Sequence, residues 1–260
     1  MTAPALEATG LVKSFGGVRA VDDVSFAVPE GSLTALIGPN GAGKTTLFNL
    51  VTRLYESDAG EVRYGGRPLA GLAPADIAAL GLVRTFQAAR IFPGMTALEN
   101  VLAGAHLQVR SRPWRQMLWL PGARREEREL AERAEALLDL AGLAAFRDAA
   151  ATDLPMGAQK VLEVIRALMA RPRVVLLDEP AAGLNDAETA ELASLLRAVR
   201  DTGITVVVVE HNMSLVMGVA DQVIVLDVGA VVAAGTPAEI QRNPRVIEAY
   251  VGQGGEWRSR

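Results

Sequence analysis

Cysteine is absent from the 260 residues, so a disulfide framework, a thiolate metal site and a cysteine nucleophile are all excluded, and the redox compartment stays open. Imidazole is scarce, supplied only by His106 and His211. Apolar runs such as Ile204 to Val209 fall far short of the roughly 20 residues that a membrane-crossing helix needs. Any work at a membrane therefore requires another chain to span it. A basic surplus is also lacking: 26 Lys and Arg stand against 30 Asp and Glu, a formal charge of −4. That balance argues against a general nucleic-acid binder, and no nucleic-acid partner is expected. The opening Met1-Thr2-Ala3-Pro4-Ala5-Leu6-Glu7 has no basic segment followed by an apolar core. It does not read as a secretory signal, and a cytoplasmic location is the expectation. Neither an internal repeat nor a low-complexity linker is visible.

Half of the residues are hydrophobic, enough for a substantial core in a single domain with a subdomain. From Leu6 to Val28 the residues alternate and break at Gly10, Gly16-Gly17 and Pro29, which predicts short strands joined by turns. Thr34 to Ile37 reads as an apolar strand, and Thr45 to Leu54 as the helix after it. From about Thr96 to Ala170 the periodicity is helical; in Glu126 to Leu140, Leu130, Ala134, Leu137 and Leu138 face charged positions. Strand signals return at Val174 to Leu177, Ile204 to Val209 and Val223 to Leu226. Near-continuous apolar strands separated by helices predict a parallel sheet covered on both faces. Thr236-Pro237-Ala238-Glu239 carries the marks of a helix start: a capping threonine, proline in the first turn and glutamate three residues on.

The run Gly38-Pro39-Asn40-Gly41-Ala42-Gly43-Lys44-Thr45 satisfies G-x-x-x-x-G-K-[ST] between a strand and a helix, and Thr46 follows it. Glycines let successive backbone N–H groups turn onto phosphate oxygens, and the helix start adds its positive dipole end. Lys44 is expected to reach the β- and γ-phosphates of ATP, and the Thr45 hydroxyl to ligate Mg²⁺. A glycine turn with a chance lysine is the bland alternative, and the strand and helix around it disfavour that. Val174 to Glu179 supplies a complement, an apolar strand ending in two carboxylates. Side chains at the carboxyl end of a parallel strand reach a ligand crevice. Asp178 is expected to hold Mg²⁺ through water and Glu179 to orient and polarise the attacking water. His211 follows a third strand and is read as a γ-phosphate sensor rather than a surface residue, because strand ends of one sheet converge. Gln87 follows the strand Gly81 to Phe86, and its amide oxygen could ligate Mg²⁺ if that strand lies beside the glycine loop.

Taken together, phosphate loop, Gln87, Leu154-Pro155-Met156-Gly157-Ala158-Gln159, Asp178-Glu179 and His211 resemble the ATP-binding subunits of ABC transporters, in that family's order and over nearly the whole chain. The resemblance implies a P-loop nucleoside triphosphatase fold of the α/β class: a mostly parallel sheet, an antiparallel β subdomain and an inserted α-helical subdomain. Expected bounds are about 1–87 and 168–235 for the core with its β subdomain, 88–167 for the helical subdomain and 236–260 for a C-terminal helix and tail. It further implies that Phe15 stacks on adenine, although a core strand phenylalanine fits the spacing equally well. Leu154 to Gln159 corresponds to the signature loop that acts on ATP held by the opposite subunit, and Asn185 to the loop between the two active sites.

A finer similarity is to the subgroup serving branched-chain amino acid uptake. Arg84-Thr85-Phe86-Gln87, Leu98-Glu99-Asn100-Val101, Asp178 to Gly183 and Asn243-Pro244-Arg245-Val246-Ile247-Glu248-Ala249-Tyr250 carry it. What this implies is an ATP-hydrolysing importer motor at the cytoplasmic face of the membrane. Its partners would be a second ATP-binding subunit, in a homo- or heterodimer, transmembrane permease subunits and, indirectly, an extracytoplasmic solute-binding protein. Urea or lipid cargo, or a soluble ATPase of the same fold outside transport, are the alternatives. Two departures stand out. Pro155 removes a hydroxyl and an N–H that the family's Leu-Ser-Gly-Gly-Gln loop offers, with Met156 and Ala158 departing further, and Asn185 replaces an aspartate. If the second subunit is a different chain, the weakened site is the one on that partner. Leu107 to Arg125 holds five arginines, Trp114 and Trp119 without an acid, and reads as a solvated arm rather than a lipid or partner contact.

Overall fold

The computed structural model describes residues 4–85, 91–108 and 121–251. Two sheets organise it. A six-stranded sheet is built from β3 (Leu33–Ile37), β6 (Leu82–Arg84), β7 (Val174–Asp178), β8 (Thr205–Val209), β9 (Gln222–Asp227) and β10 (Ala230–Gly235) in the order β10-β9-β3-β8-β7-β6. Only the β9–β10 hairpin is antiparallel. A four-stranded antiparallel sheet adds β1 (Leu6–Phe15), β2 (Val18–Val28), β4 (Ala59–Tyr64) and β5 (Arg67–Pro68) in the order β2-β1-β4-β5. This is the expected α/β architecture.

Alternation divides the central strands between two cores. Leu33, Ala35, Ile37, Val175, Leu177, Val206 and Val208 face one apolar cluster, covered by helices α3 (Ala97–Ala103), α5 (Met156–Met169), α6 (Asp186–Asp201) and α7 (Met213–Val219). Leu36, Val174, Leu176, Val207 and Val209 face a second cluster under α1 (Lys44–Val51), the antiparallel sheet and Ile77 of α2 (Pro74–Ala79). Burial on both faces is why these strands read as unbroken apolar runs. Helix α4 (Pro121–Leu140) packs on α3 and α5, and α8 (Pro237–Gln241) and α9 (Pro244–Val251) close the chain.

Helix starts follow their caps. Thr96, Asn185 and Thr236 each accept from the backbone N–H three residues on, while Glu99, Glu188 and Glu239 return the bond. Among the described residues, the expected helical stretch from Thr96 to Ala170 holds three helices with short 3₁₀ turns. At Gly10 the expected break is instead a bulge within one ten-residue strand, with pairing to β2 shifting between Ala8 and Leu11. Among the described residues no helix is long and apolar enough to cross a membrane. Most of the Arg and Trp segment, including Trp114 and Trp119, lies outside the described residues.

Candidate active site

Register brings the chemistry together. Leu36 of β3 pairs with Val209 of β8, and Val209 with Asp178 of β7. All three strands therefore end level, presenting Gly38, His211 and Glu179 at one edge. With strands spaced at about 4.8 Å, β3 and β7 lie roughly 10 Å apart across β8, a span suited to a nucleotide's phosphates.

Tight packing shapes the phosphate loop. A Cβ on Gly38 would stand 2.1 Å from the Leu226 carbonyl oxygen, and one on Gly43 2.4 Å from that of Ala20, where φ is +98°. Only glycine fits at either point. The tip of the β9–β10 hairpin braces the loop from behind, with Gly229 N–H donating to the Ala42 carbonyl (3.1 Å). Lys44 opens α1, and its buried ammonium donates to the carbonyls of Gly38 (2.7 Å) and Pro39 (3.0 Å). Burial lowers the Lys44 pKa, and the Glu179 and Asp178 carboxylates oppose that by favouring the charged form. Thr45 is exposed beside it.

Asp178 is 3 % exposed. Its Oδ2 accepts from Arg84 Nη2 at 2.8 Å, while its buried Oδ1 has no hydrogen-bond partner among the described residues. An orphaned carboxylate oxygen beside a phosphate loop fits Mg²⁺ or a water bound to it. No cluster of three acidic or histidine side chains exists among the described residues. Glu179 is half-buried and held at φ +49°, uncommon for a residue with a Cβ and frequent at functional sites. Its N–H donates to the Val209 carbonyl at 2.9 Å. His211 is exposed at the end of β8.

Other expectations are placed differently. Gln87 lies outside the described residues, and β6 pairs with β7 rather than standing beside β3. The route from β6 to the site is Arg84, which also donates to Asn49 Oδ1 of α1 (2.6 Å) and lies over Phe48. Phe15 is 44 % exposed, so the core alternative fails; its ring meets Tyr55 edge-on at 5.4 Å. The stretch Leu154 to Gln159 is a loop only at Leu154 and Pro155, because Met156 to Gln159 already form the first turn of α5. Gln159 Nε2 folds back onto the Leu154 carbonyl at 2.8 Å. Asn185 caps α6. Two polar anchors, Arg84 and Glu210, had no assigned role from sequence. The signal available was position, since each charge stands at the carboxyl end of an apolar strand, Arg84 on β6 and Glu210 after β8.

Comparison with known proteins agrees with this geometry. The model of the ABC transporter family matches residues 21–182, and that of the branched-chain amino acid ATP-binding cassette transporter matches residues 230–256. A high-affinity branched-chain amino acid transport ATP-binding protein of Pseudomonas aeruginosa is 43 % identical over 97 % of this chain and 100 % of that protein. One from Salmonella typhimurium is 42 % identical over the same shares. The crystal structure of the ADP conformation of an ATP-binding cassette from an ABC transporter superposes with a TM-score of 0.83 at 32 % identity, covering 96 % of this chain and all of that one. With the phosphate loop, paired carboxylates and histidine level at one sheet edge, and relatives matching end to end, the chain belongs to the ABC transporter family, as an ATP-binding cassette ATPase.

Proposed function

We propose that this chain is the ATP-hydrolysing motor subunit of an importer for branched-chain or related amino acids, working at the cytoplasmic face of the membrane. The level ends of β3, β8 and β7 carry the reading of chemistry. The cargo reading rests on the named relatives and on the match over residues 230–256. In this reading residues 38–46 wrap the phosphates, Phe15 stacks on adenine, and Thr45, Gln87 and Asp178 hold Mg²⁺. When bound, the ion would supply charge neutralisation to the phosphates. Glu179 orients and polarises water, whose oxygen attacks the γ-phosphorus as the bond to the bridging oxygen breaks, releasing ADP and phosphate. Lys44 and His211 stabilise the developing charge.

The domain bounds given above, with residues 88–167 as the helical subdomain, belong to the same proposal. So does a dimer in which Leu154 to Gln159 and Asn185 face ATP held by a second subunit. A relative at 26 % identity is known as a dimer bound to ADP and phosphate. Closing and opening that dimer would drive the permease subunits, which receive cargo from a solute-binding protein. Because Pro155 offers no hydroxyl or N–H, the weaker of two sites would be the one on a different partner chain.

The test is Glu179→Gln in the transporter purified with its partner subunits. The variant should retain ATP in a closed dimer, lose turnover, and abolish uptake of labelled leucine by reconstituted vesicles. Turnover at the wild-type rate would overturn the role of Glu179, and normal turnover without leucine-stimulated transport would overturn the cargo.

A further inference from the structure

Glu210 is the most enclosed acidic residue among those described, with 0 % exposure, and the hydrolytic scheme gives it no task. It ends a strand of Thr and Val, where an ionised carboxylate is costly unless its oxygens are filled. They are filled by backbone. Oε1 accepts from the Ala181 N–H at 2.7 Å; Oε2 accepts from the N–H groups of His211 (3.1 Å) and Asn212 (3.3 Å). Burial raises the Glu210 pKa, and these three donors and His211 pull against it.

What this carboxylate joins is specific. Ala181 belongs to the turn carrying Glu179, in which Ala182 N–H donates to the Glu179 carbonyl at 3.1 Å. That turn is pinned to the end of β8 twice, through Glu179 N–H on the Val209 carbonyl and through Ala181 N–H on Glu210. A glutamate at φ +49° persists only where its surroundings over-determine the backbone. The segment carrying His211 leaves the same strand and is tied to the same carboxylate.

We infer that Glu210 is a positioning residue: its carboxylate clamps the turn bearing Glu179 to the segment bearing His211, fixing the two groups at one γ-phosphate without touching the nucleotide. The inference rests on the proposed roles of Glu179 and His211. Misplacing a reacting group by about 1 Å can cost on the order of a hundredfold in rate, so the clamp acts on turnover. The phosphate loop and Phe15 lie outside it, so nucleotide affinity is untouched.

Glu210→Ala, the isosteric Glu210→Gln and Glu179→Gln are compared in the assembled transporter, reading kcat, KM for ATP, and the affinity and stoichiometry of a fluorescent ATP analogue. Glu210→Ala should lower kcat by about tenfold or more, with analogue affinity and stoichiometry within about twofold of wild type. Glu210→Gln keeps one acceptor oxygen and turns an NH₂ toward a donor, so it should fall between, and it carries the test alone if the alanine variant does not fold. Wild-type kcat in the Glu210 variants beside an inactive Glu179→Gln protein sinks the clamp and leaves the catalytic reading standing. Active Glu179→Gln protein sinks that reading and the clamp with it. A kcat that falls in step with binding stoichiometry means Glu210 merely keeps the protein folded, which also overturns the inference.

Discussion

Replacing Arg84 with alanine tests whether the buried carboxylate of Asp178, proposed to hold Mg²⁺, is held by β6. The guanidinium pairs with Asp178 at 2.8 Å between side chains that are only 8 % and 1 % exposed. It also donates to Asn49 Oδ1 (2.6 Å) and Thr52 Oγ1 (3.4 Å) and lies over the Phe48 ring at 5.4 Å. Removing one partner of a buried pair costs about 3–5 kcal/mol, because the remaining charge is stranded out of water. The neutral contacts to Asn49 and Thr52 add less, each net bond being worth about 1 kcal/mol. At about 2–4 °C per kcal/mol for a chain of this size, Arg84→Ala should lower Tm by roughly 6–20 °C. Asp178→Asn removes the stranded charge, so combining it with Arg84→Ala should recover part of the loss. Thermal unfolding of the four proteins, without nucleotide, gives the coupling. We expect about 2 kcal/mol of non-additivity. A single-variant shift below about 3 °C, or additivity within about 0.5 kcal/mol, would refute the idea that Arg84 compensates Asp178.

Gly43→Ala places a Cβ 2.4 Å from the Ala20 carbonyl oxygen at a φ of +98°, so titration with a fluorescent ATP analogue should show no binding; wild-type affinity would contradict the packing described. Val228→Asn should stabilise the protein: the exposed valine sits at φ +43° in the β9–β10 turn, where asparagine relieves about 1 kcal/mol of left-handed strain. Calorimetry should find Tm higher by about 2–4 °C, and a lower Tm would count against it. The raised pKa of Glu210 has a signed consequence. Its protonated form is favoured by folding, so that contribution is complete below the ordinary value of 4.5 and is lost as pH rises through the folded pKa. Urea midpoints of wild type should therefore fall relative to Glu210→Gln as pH increases across that window, and parallel profiles would exclude the linkage.

Local chemistry was legible in the sequence and cross-strand chemistry was not. The glycine loop, the capping residue Thr236 and the apolar runs of β3, β7 and β8 are each specified within a few neighbouring residues, so pattern and propensity reach them. Gly10 was read as a break because glycine weakens a strand, yet β1 resumes its pairing with β2 and β4 beyond it, so the glycine at φ +59° makes a bulge rather than an end. Arg84 meets Asp178 across 94 positions of sequence and Glu210 meets Ala181 across 29. The first contact exists because β6 lies beside β7, and the second because β7 lies beside β8. Strand order of that kind comes from crossovers, which leave no local trace.

The same order makes Asn185 intelligible. As a departure from aspartate it loses a charge, but its work within this chain is to cap α6: its Oδ1 accepts from Glu188 N–H at 3.0 Å, and Glu188 Oε2 accepts its own N–H at 2.9 Å. Asparagine and aspartate are near equals in that task. Glu188 also packs against the start of α5, where a Cβ on Gly157 would fall 2.5 Å from its Oε1. One side chain thus ties the cap at Asn185 to the helix start at Gly157, and the short turn from Glu179 to Asn185 ties both to the end of β8. Between Glu179, proposed to act on this chain's own ATP, and Asn185, proposed to face a second subunit, lies only the backbone of Pro180 to Leu184, anchored on Glu210 through Ala181. The connection is short: the capping bonds between Asn185 and Glu188, the packing of Glu188 on Gly157, and the bond from Ala181 N–H to Glu210.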